Sequence, residues 1–487
     1  MTAGAQEYRS PRIGSKTVGL LSFSDGRPYV ARDTAAFVAD SEERLAAWLR
    51  EAGYDVVRAG APITSNDLAV SEARAIAAAS PAATVFSYPV WAFPHFTMLA
   101  QDQLSGPVVQ FSNVDPRFPG MVGMLAAAGG LDQVGRRYER VWGDVAEAET
   151  ARRLGAILRA AAAVSSLRGS TFGRIGGRSM GMYTAVSGTD DWMRRFGVDV
   201  EEIDQWEIVR RSAEQDPARA RRARLWLEQH TAAVHYDGER LTPELLERQL
   251  LAYDAYRELI AEWSLDFSGI KGQPELSTHF AIMDVAEAFL NDPYDWDGPK
   301  ETHVCATEAD MDGALTMQIL KLLTGLPVLF ADLRCYHADR GIWDLCNSGQ
   351  HATWYAHRSH APEVNLAAVE LFPSDFYFPA GGASVCHLAA AGEMTFARLS
   401  RLDGRYRLQL TRGDLETYDD ATNNALMQAS SPTWPHAFAR LDAGANSVLG
   451  RYGSNHIHGV PGDVTSELRT VCRYLGIDVD DLAAARE

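Results

Sequence analysis

The chain reads as an α/β protein: two parallel-sheet α/β domains followed by a mostly β C-terminal domain. Three observations predict this. Short apolar, β-rich runs alternate with helical stretches up to about residue 345, the pattern of strands joined by crossover helices. At 487 residues the chain is too long for one core and calls for about three domains of roughly 150 residues. Beyond residue 345 the alternation gives way to hairpin signals and to dense prolines, glycines and aromatics. The expected domains are residues 1–167, 168–345 and 346–487.

In the first domain Thr17–Phe23 is a strand and Asp33–Glu51 a helix that stops before Gly53. Short strands follow at Asp55–Val57, Ala83–Ser87 and Pro107–Phe111, with helical segments between them. An alanine-rich helix, Val145–Leu167, closes the unit. The second domain opens on the strand Ser170–Ile175 and the loop Gly176-Gly177-Arg178-Ser179-Met180-Gly181. That loop matches neither dinucleotide nor P-loop spacing, so a tight turn needing small residues is its expected role. Helices are expected over Asp216–His230 and Thr242–Trp263. In the third domain Met394–Leu402 and Arg405–Thr411 flank Asp403-Gly404, a hairpin with a type I′ turn. A helix over Val464–Leu475 is expected to close that domain.

Composition narrows the function. With 46% hydrophobic and 23% charged residues this is ordinary globular composition. The formal net charge of -18 argues against nucleic acid or an anionic membrane as the main partner. The polar segment Met1–Lys16 has no apolar core, so it is expected to be neither signal peptide nor anchor. No run approaches 18 uninterrupted apolar residues. Five scattered cysteines, Cys305, Cys335, Cys346, Cys386 and Cys472, read as reduced, buried thiols, and the expected compartment is the cytoplasm.

The chemistry is carried by two acids. The apolar run His303–Ala306 leads straight into Thr307 and Glu308, and Pro327–Ala331 leads into Asp332, with a helical stretch, Asp312–Leu323, between them. Read as parallel neighbours in one open sheet, the two runs deliver both carboxylates to the rim where such sheets bind ligands. Paired carboxylates hold a divalent metal or share acid/base work. The competing role for either acid is to cap the following helix, which Asp310 or Asp312 would also serve. A third ligand candidate lies in Asn455-His456-Ile457-His458-Gly459. The two histidines are expected on opposite faces of an extended segment, so that only one reaches the site. Carboxylate and imidazole together suit Mn²⁺, Mg²⁺ or Co²⁺ better than a thiolate-loving metal. A domain boundary near residue 345 places this site in an interdomain cleft.

Several segments carry a resemblance. ATEADMDG (306–313), FADLR (330–334), NSG (347–349) and SNHIHGVPGD (454–463) resemble the metal-site segments of the L-fucose isomerase family. GGRSMGMY (176–183) and RFGVDVEEIDQ (195–205) are similar to the opening of its middle domain. SDGRP (24–28), FSYPVW (86–91), KGQPE (271–275), FYFPAGGAS (376–384) and SPTWP (431–435) resemble its substrate-facing segments. The resemblance implies Glu308, Asp332 and His456 as Mn²⁺ ligands, with Mg²⁺ or Co²⁺ as substitutes. It implies Arg27, Trp91, Gln273, Tyr377 and Trp434 around a sugar; Asn347 of the NSG segment and His458, beside the ligand histidine, join them as candidates. It also implies a homo-oligomer, a hexamer or another multiple of three. For the aromatics the competing role is core packing, and for Gln273 a loop hydrogen bond.

The expected activity is metal-dependent interconversion of a free aldose, of the L-fucose or D-arabinose kind, with its ketose. A proton passes between C1 and C2 through an enediol, with Glu308 and Asp332 as the acid/base pair. An anionic sugar such as sulfoquinovose is an alternative substrate. A non-catalytic sugar-binding protein and a metal-dependent hydrolase are rivals from other classes.

Overall fold

The computed structural model describes residues 16–348 and 350–484. Nearly all of the polar N-terminal segment, and Gly349 of the 347–349 segment, lie outside the described residues. The chain divides into two compact units, one of residues 16–168 with Ser466–Ile477, the other of Gly169–Thr465 with the segment that starts at Asp478.

The N-terminal unit is a five-stranded parallel sheet, in spatial order Asp55–Arg58, Thr17–Ser22, Ala83–Tyr88, Val108–Ser112 and Glu139–Trp142. Alternate strand residues feed two cores. Leu21, Phe23, Phe86 and Tyr88 pack on one face, while Val18, Leu20, Val85 and Val109 pack with Leu154 and Leu158 on the other. Helices covering both faces explain why these strands read as continuous apolar runs rather than as alternation. The first helix spans Pro28–Glu51 and starts earlier than its apolar spacing indicates, because Pro28 occupies its first turn. Strand order reverses between Thr17–Ser22 and Ala83–Tyr88, and Arg27 and Trp91 follow the C-terminal ends of these two strands. Ligands bind at such a switch point in doubly wound sheets.

The C-terminal helix, Thr465–Leu475, departs from expectation. From Ser466 on it belongs to the N-terminal unit, where Tyr474 Oη donates to Val108 O at 3.1 Å and Arg473 Nη2 to Glu139 Oε2 at 2.9 Å. Partners so far away in sequence are invisible to local pattern. No helix among the described residues is long and apolar enough to cross a membrane.

The second unit holds two larger sheets. One is parallel, in the order Cys305–Thr307, Phe267–Ile270, Thr171–Ile175 and Asp199–Ile203. The glycine loop after Thr171–Ile175 is the expected tight turn. Gly176 and Gly177 sit at φ +89° and +80°, and a Cβ on Gly176 would lie 2.5 Å from Gln205 Oε1. The other sheet runs Gly392–Leu402, His456–Pro461, Leu329–His337, Ile342–Cys346, His436–Leu441, Arg405–Glu416 and Asp478–Asp481. Gly392–Leu402 also pairs with Arg405–Glu416, so six of these strands close on themselves and leave no free edge among them. The hairpin turn is as read: Asp403 and Gly404 lie at φ +50° and +72°, the left-handed pair that a type I′ turn requires.

The two acid-bearing strands are therefore not parallel neighbours. Cys305–Thr307 pairs with Phe267–Ile270 in the parallel sheet, whereas Leu329–His337 pairs antiparallel with Ile342–Cys346 and His456–Pro461 in the closed sheet. Asp332 sits within its strand and not at its end. A strand–helix–strand pattern with a left-handed Gly325 stop matches a crossover equally well when the second strand leaves for another sheet.

Candidate metal centre

Glu308 owes its position to a sharp turn. The strand Cys305–Thr307 ends, and Glu308 and Ala309 both adopt positive φ, +59° and +51°. Two successive left-handed residues without glycine cost on the order of 1–3 kcal/mol each, and surrounding bonds must hold them. Ala309 N donates to Ile270 O at 3.0 Å, and Asp310 N to Thr307 O at 3.2 Å. Gly269 on the neighbouring strand permits this close approach, since a Cβ there would stand 3.0 Å from Ala306 O. The helix Met311–Thr324 begins at once, capped by Asp310, whose Oδ1 accepts from Gly313 N at 3.0 Å. Capping thus falls to Asp310 and leaves Glu308 for other work.

Asp332 and His456 are direct cross-strand partners, as are Phe330 and His458. The row continues from Asp332 to Cys346 and on to His436. The intervening residues Ala331, Leu345, Ala437 and Ile457 face the hydrophobic core. His456 and His458 consequently share one face, because side chains alternate with period two and residues i and i+2 point the same way. The expectation of opposite faces was wrong. Both rings pack against Phe330, with centroids 4.7 and 4.8 Å from it.

At the centre His456 Nε2 lies 2.8 Å from Glu308 Oε2 and 3.6 Å from Asp332 Oδ1. Despite that proximity, the buried Nε2 and Oε2 atoms have no well-formed hydrogen bond to each other or to other described residues. His456 is fully buried, while Asp332 is 24% exposed, so the cluster opens on the Asp332 side. Asn455 Nδ2 donates to Asp332 Oδ1 at 2.9 Å and orients that carboxylate.

Behind His456 stands a layer that sequence reading missed. Nδ1 lies 2.6 Å from Asp310 Oδ2, and Arg398 donates to both oxygens of Asp310, at 2.5 and 3.0 Å. Arg398 also meets His458 Nε2 at 3.1 Å. Asp310 was visible within its motif only as a helix cap, and Arg398 lay in a hairpin strand without any local signal.

Electrostatics follow from these contacts. Burial works against charge on His456, but Asp310 and Glu308 outweigh it and raise its pKa to about 10. Burial likewise opposes the charge on Asp310, yet Arg398 and His456 hold its carboxyl well below the usual range. Asp332 is raised, chiefly by desolvation, with His456 opposing and Glu308 adding to the shift. His458 is pushed well below the ordinary imidazole value by burial and by Arg398.

The other candidates scatter. Trp434 is buried with Ile282, Cys346 and Phe378, beside the row that carries Asp332, and Arg334 lies 5.3 Å over its ring. Asn347 is buried, with Nδ2 unpartnered among the described residues. Tyr377 is 55% exposed and lies tilted against Phe376 with ring centroids 3.9 Å apart, and the backbone carbonyl of Gln273 accepts from Ser179 Oγ. Neither is brought into the Glu308–His456 cluster. Arg27 and Trp91 belong to the N-terminal unit, where Arg27 is ion-paired with Asp25 at 2.5 Å. A second group, Cys335, His337 and Asp344, lies on the same hairpin with ligand atoms within 4.8 Å of one another. Its Asp344 already accepts from His436 Nδ1 at 2.8 Å, and Cys335 is only half-buried, unlike the other four cysteines.

Three family models match successive stretches: the first N-terminal domain of L-fucose isomerase over residues 15–169, the second over 245–325 and the C-terminal domain over 345–483. The chain belongs to the L-fucose isomerase family. It is an aldose–ketose isomerase, an intramolecular oxidoreductase. Similar curated proteins include the L-fucose isomerase of Klebsiella pneumoniae subsp. pneumoniae, 26% identical across 81% of this chain and 79% of that one. That of Vibrio vulnificus is 25% identical across 80% and 79%, and that of Phocaeicola vulgatus 26% across 82% and 80%.

Proposed function

We propose that this isomerase acts on a free monosaccharide of the L-fucose or D-arabinose kind and depends on a divalent cation, Mn²⁺ with Mg²⁺ or Co²⁺ as substitutes, at Glu308, Asp332 and His456. The observation that carries the reading is the convergence of His456 Nε2 and Glu308 Oε2, buried and 2.8 Å apart, with Asp332 Oδ1 close by. Two carboxylates with one imidazole are a donor set for a hard-to-borderline cation. Bound there, the cation supplies positive charge that favours anionic oxygen next to it.

The chain's own groups move the proton. Glu308 and Asp332 take it from one of C1 and C2 and return it to the other through an enediol, which requires one acid ionised while the other holds the proton. Asn455 orients Asp332 for that exchange. Trp434 and Asn347 stand beside the same sheet row and contribute to sugar binding. Gln273, Tyr377, Arg27 and Trp91 are sugar contacts by family resemblance, whereas fully buried His458 faces Arg398 and not a sugar.

We also propose a homo-oligomer built on three or six chains. The aromatic run Phe86–Phe96 is not its contact surface, since Phe86, Tyr88 and Phe96 are core residues. A better candidate is the exposed apolar set Met121, Val122 and Leu125 on the helix Gly120–Gln133.

The test is a panel of free aldoses, L-fucose, D-arabinose, L-arabinose and sulfoquinovose, incubated with protein and Mn²⁺ and followed by NMR, with the sample mass read by light scattering. Ketose formed from L-fucose or D-arabinose without any leaving group supports the reading. Turnover of sulfoquinovose alone contradicts the substrate class, and a monomer contradicts the assembly.

A further inference from the structure

Asp310 faces neither solvent nor the Nε2 side of His456 where Glu308 and Asp332 converge. It is fully buried, and four donors surround it: Gly313 N, two nitrogens of Arg398 and, at 2.6 Å, Nδ1 of His456. An ionised carboxylate only accepts, so Nδ1 carries hydrogen, and the nitrogen free to bind a cation is Nε2, the atom that faces Glu308 and Asp332. Arg398 is itself fixed. It is 1% exposed, donates to Thr184 O at 3.1 Å and meets His458 Nε2 at 3.1 Å. Arg398 has no acceptor to offer, so His458 Nε2 must accept, which makes His458 the back support of the layer and not a ligand. Phe330 packs against both imidazoles and limits ring rotation.

We propose that Asp310, locked by Arg398 and His458, is a positioning residue that holds His456 with Nε2 toward Glu308 and Asp332 and thereby sets the metal affinity of the centre. The inference rests on the proposed metal role of His456. A carboxylate behind a ligating histidine fixes its tautomer and orientation, and losing such a partner costs 10- to 100-fold in metal affinity or activity. The rival role for Asp310 is purely structural, as the cap of the helix Met311–Thr324.

Asp310→Asn and Asp310→Ser separate the two, because Asn and Ser are both good N-cap residues. Mn²⁺ binding is measured by calorimetry on metal-stripped wild type, both variants and His456→Ala, with thermal melting of each metal-free protein. Both Asp310 variants are expected to melt cooperatively and to bind Mn²⁺ at least tenfold more weakly. Their kcat should recover at high Mn²⁺ with the sugar KM nearly unchanged. Should Ser prove too destabilised to fold, the isosteric Asn variant decides. Wild-type Mn²⁺ affinity in the Asp310 variants, with binding lost in His456→Ala, overturns this inference alone. Undiminished binding in His456→Ala overturns the metal reading and this inference with it.

Discussion

Replacing Glu308 by Gln should abolish isomerisation, lowering kcat/KM by at least 10³-fold, and should weaken Mn²⁺ binding while the protein stays folded. The side chain places its Oε2 2.8 Å from His456 Nε2, so the amide removes the negative charge there and the proposed proton acceptor. A general-base contribution alone is worth about 10²–10⁴-fold. Folding should survive because the strained turn is held by backbone bonds from Ala309 to Ile270 and from Asp310 to Thr307, not by the carboxylate. Asp332→Asn should lose activity comparably, since its oxygen is the third at the cluster. Near-normal turnover in either variant would remove it from the site.

The second large effect is on pH. In the metal-free protein His456 carries a proton up to about pH 10, held by Asp310 and Glu308 against the cost of burial. Because this pKa lies above the ordinary 6.5, the charged imidazole stabilises the metal-free fold fully below about 6.5, and that contribution is lost as pH rises through about 10. A cation must displace the Nε2 proton, so its affinity should rise with pH throughout that window. One proton released per ion corresponds to up to tenfold per pH unit, about 100-fold between pH 7 and 9. Calorimetric titration of Mn²⁺ in buffers of different ionisation enthalpy should therefore report proton release near pH 8. An affinity that is flat above pH 7 would show an ordinary histidine and break the account of the cluster. An unperturbed histidine would place that window near pH 6.5; the two carboxylates move it upward.

The architecture was largely legible because alternation, turn residues and helix stops are local. Asp403-Gly404 marks its hairpin unaided, and the strands Thr17–Ser22 and Ala83–Tyr88 are continuous apolar runs. What escaped was long-range pairing. Nothing near Pro327–Ala331 says that this strand leaves the parallel sheet to join His456–Pro461, and nothing near Val464 says that its helix belongs to the N-terminal unit. Glu308, Asp332 and His456 were found individually from strand-end position and resemblance, and the fold brings them together by a route other than a shared parallel rim. The supporting layer was invisible for the same reason. Arg398 and Asp310 are 88 residues apart, and only the folded chain turns a helix cap into the partner of a histidine.

The proposed site of the divalent cation is the cluster of Glu308, Asp332 and His456. Anomalous diffraction from crystals of the protein soaked in Mn²⁺ tests it most directly. One strong peak is expected about 2.0–2.3 Å from His456 Nε2 and from an oxygen of each acid, distances within the usual range for nitrogen and oxygen ligands of such ions. A peak at Cys335, His337 and Asp344, with the Glu308 cluster empty at saturating Mn²⁺, would contradict it.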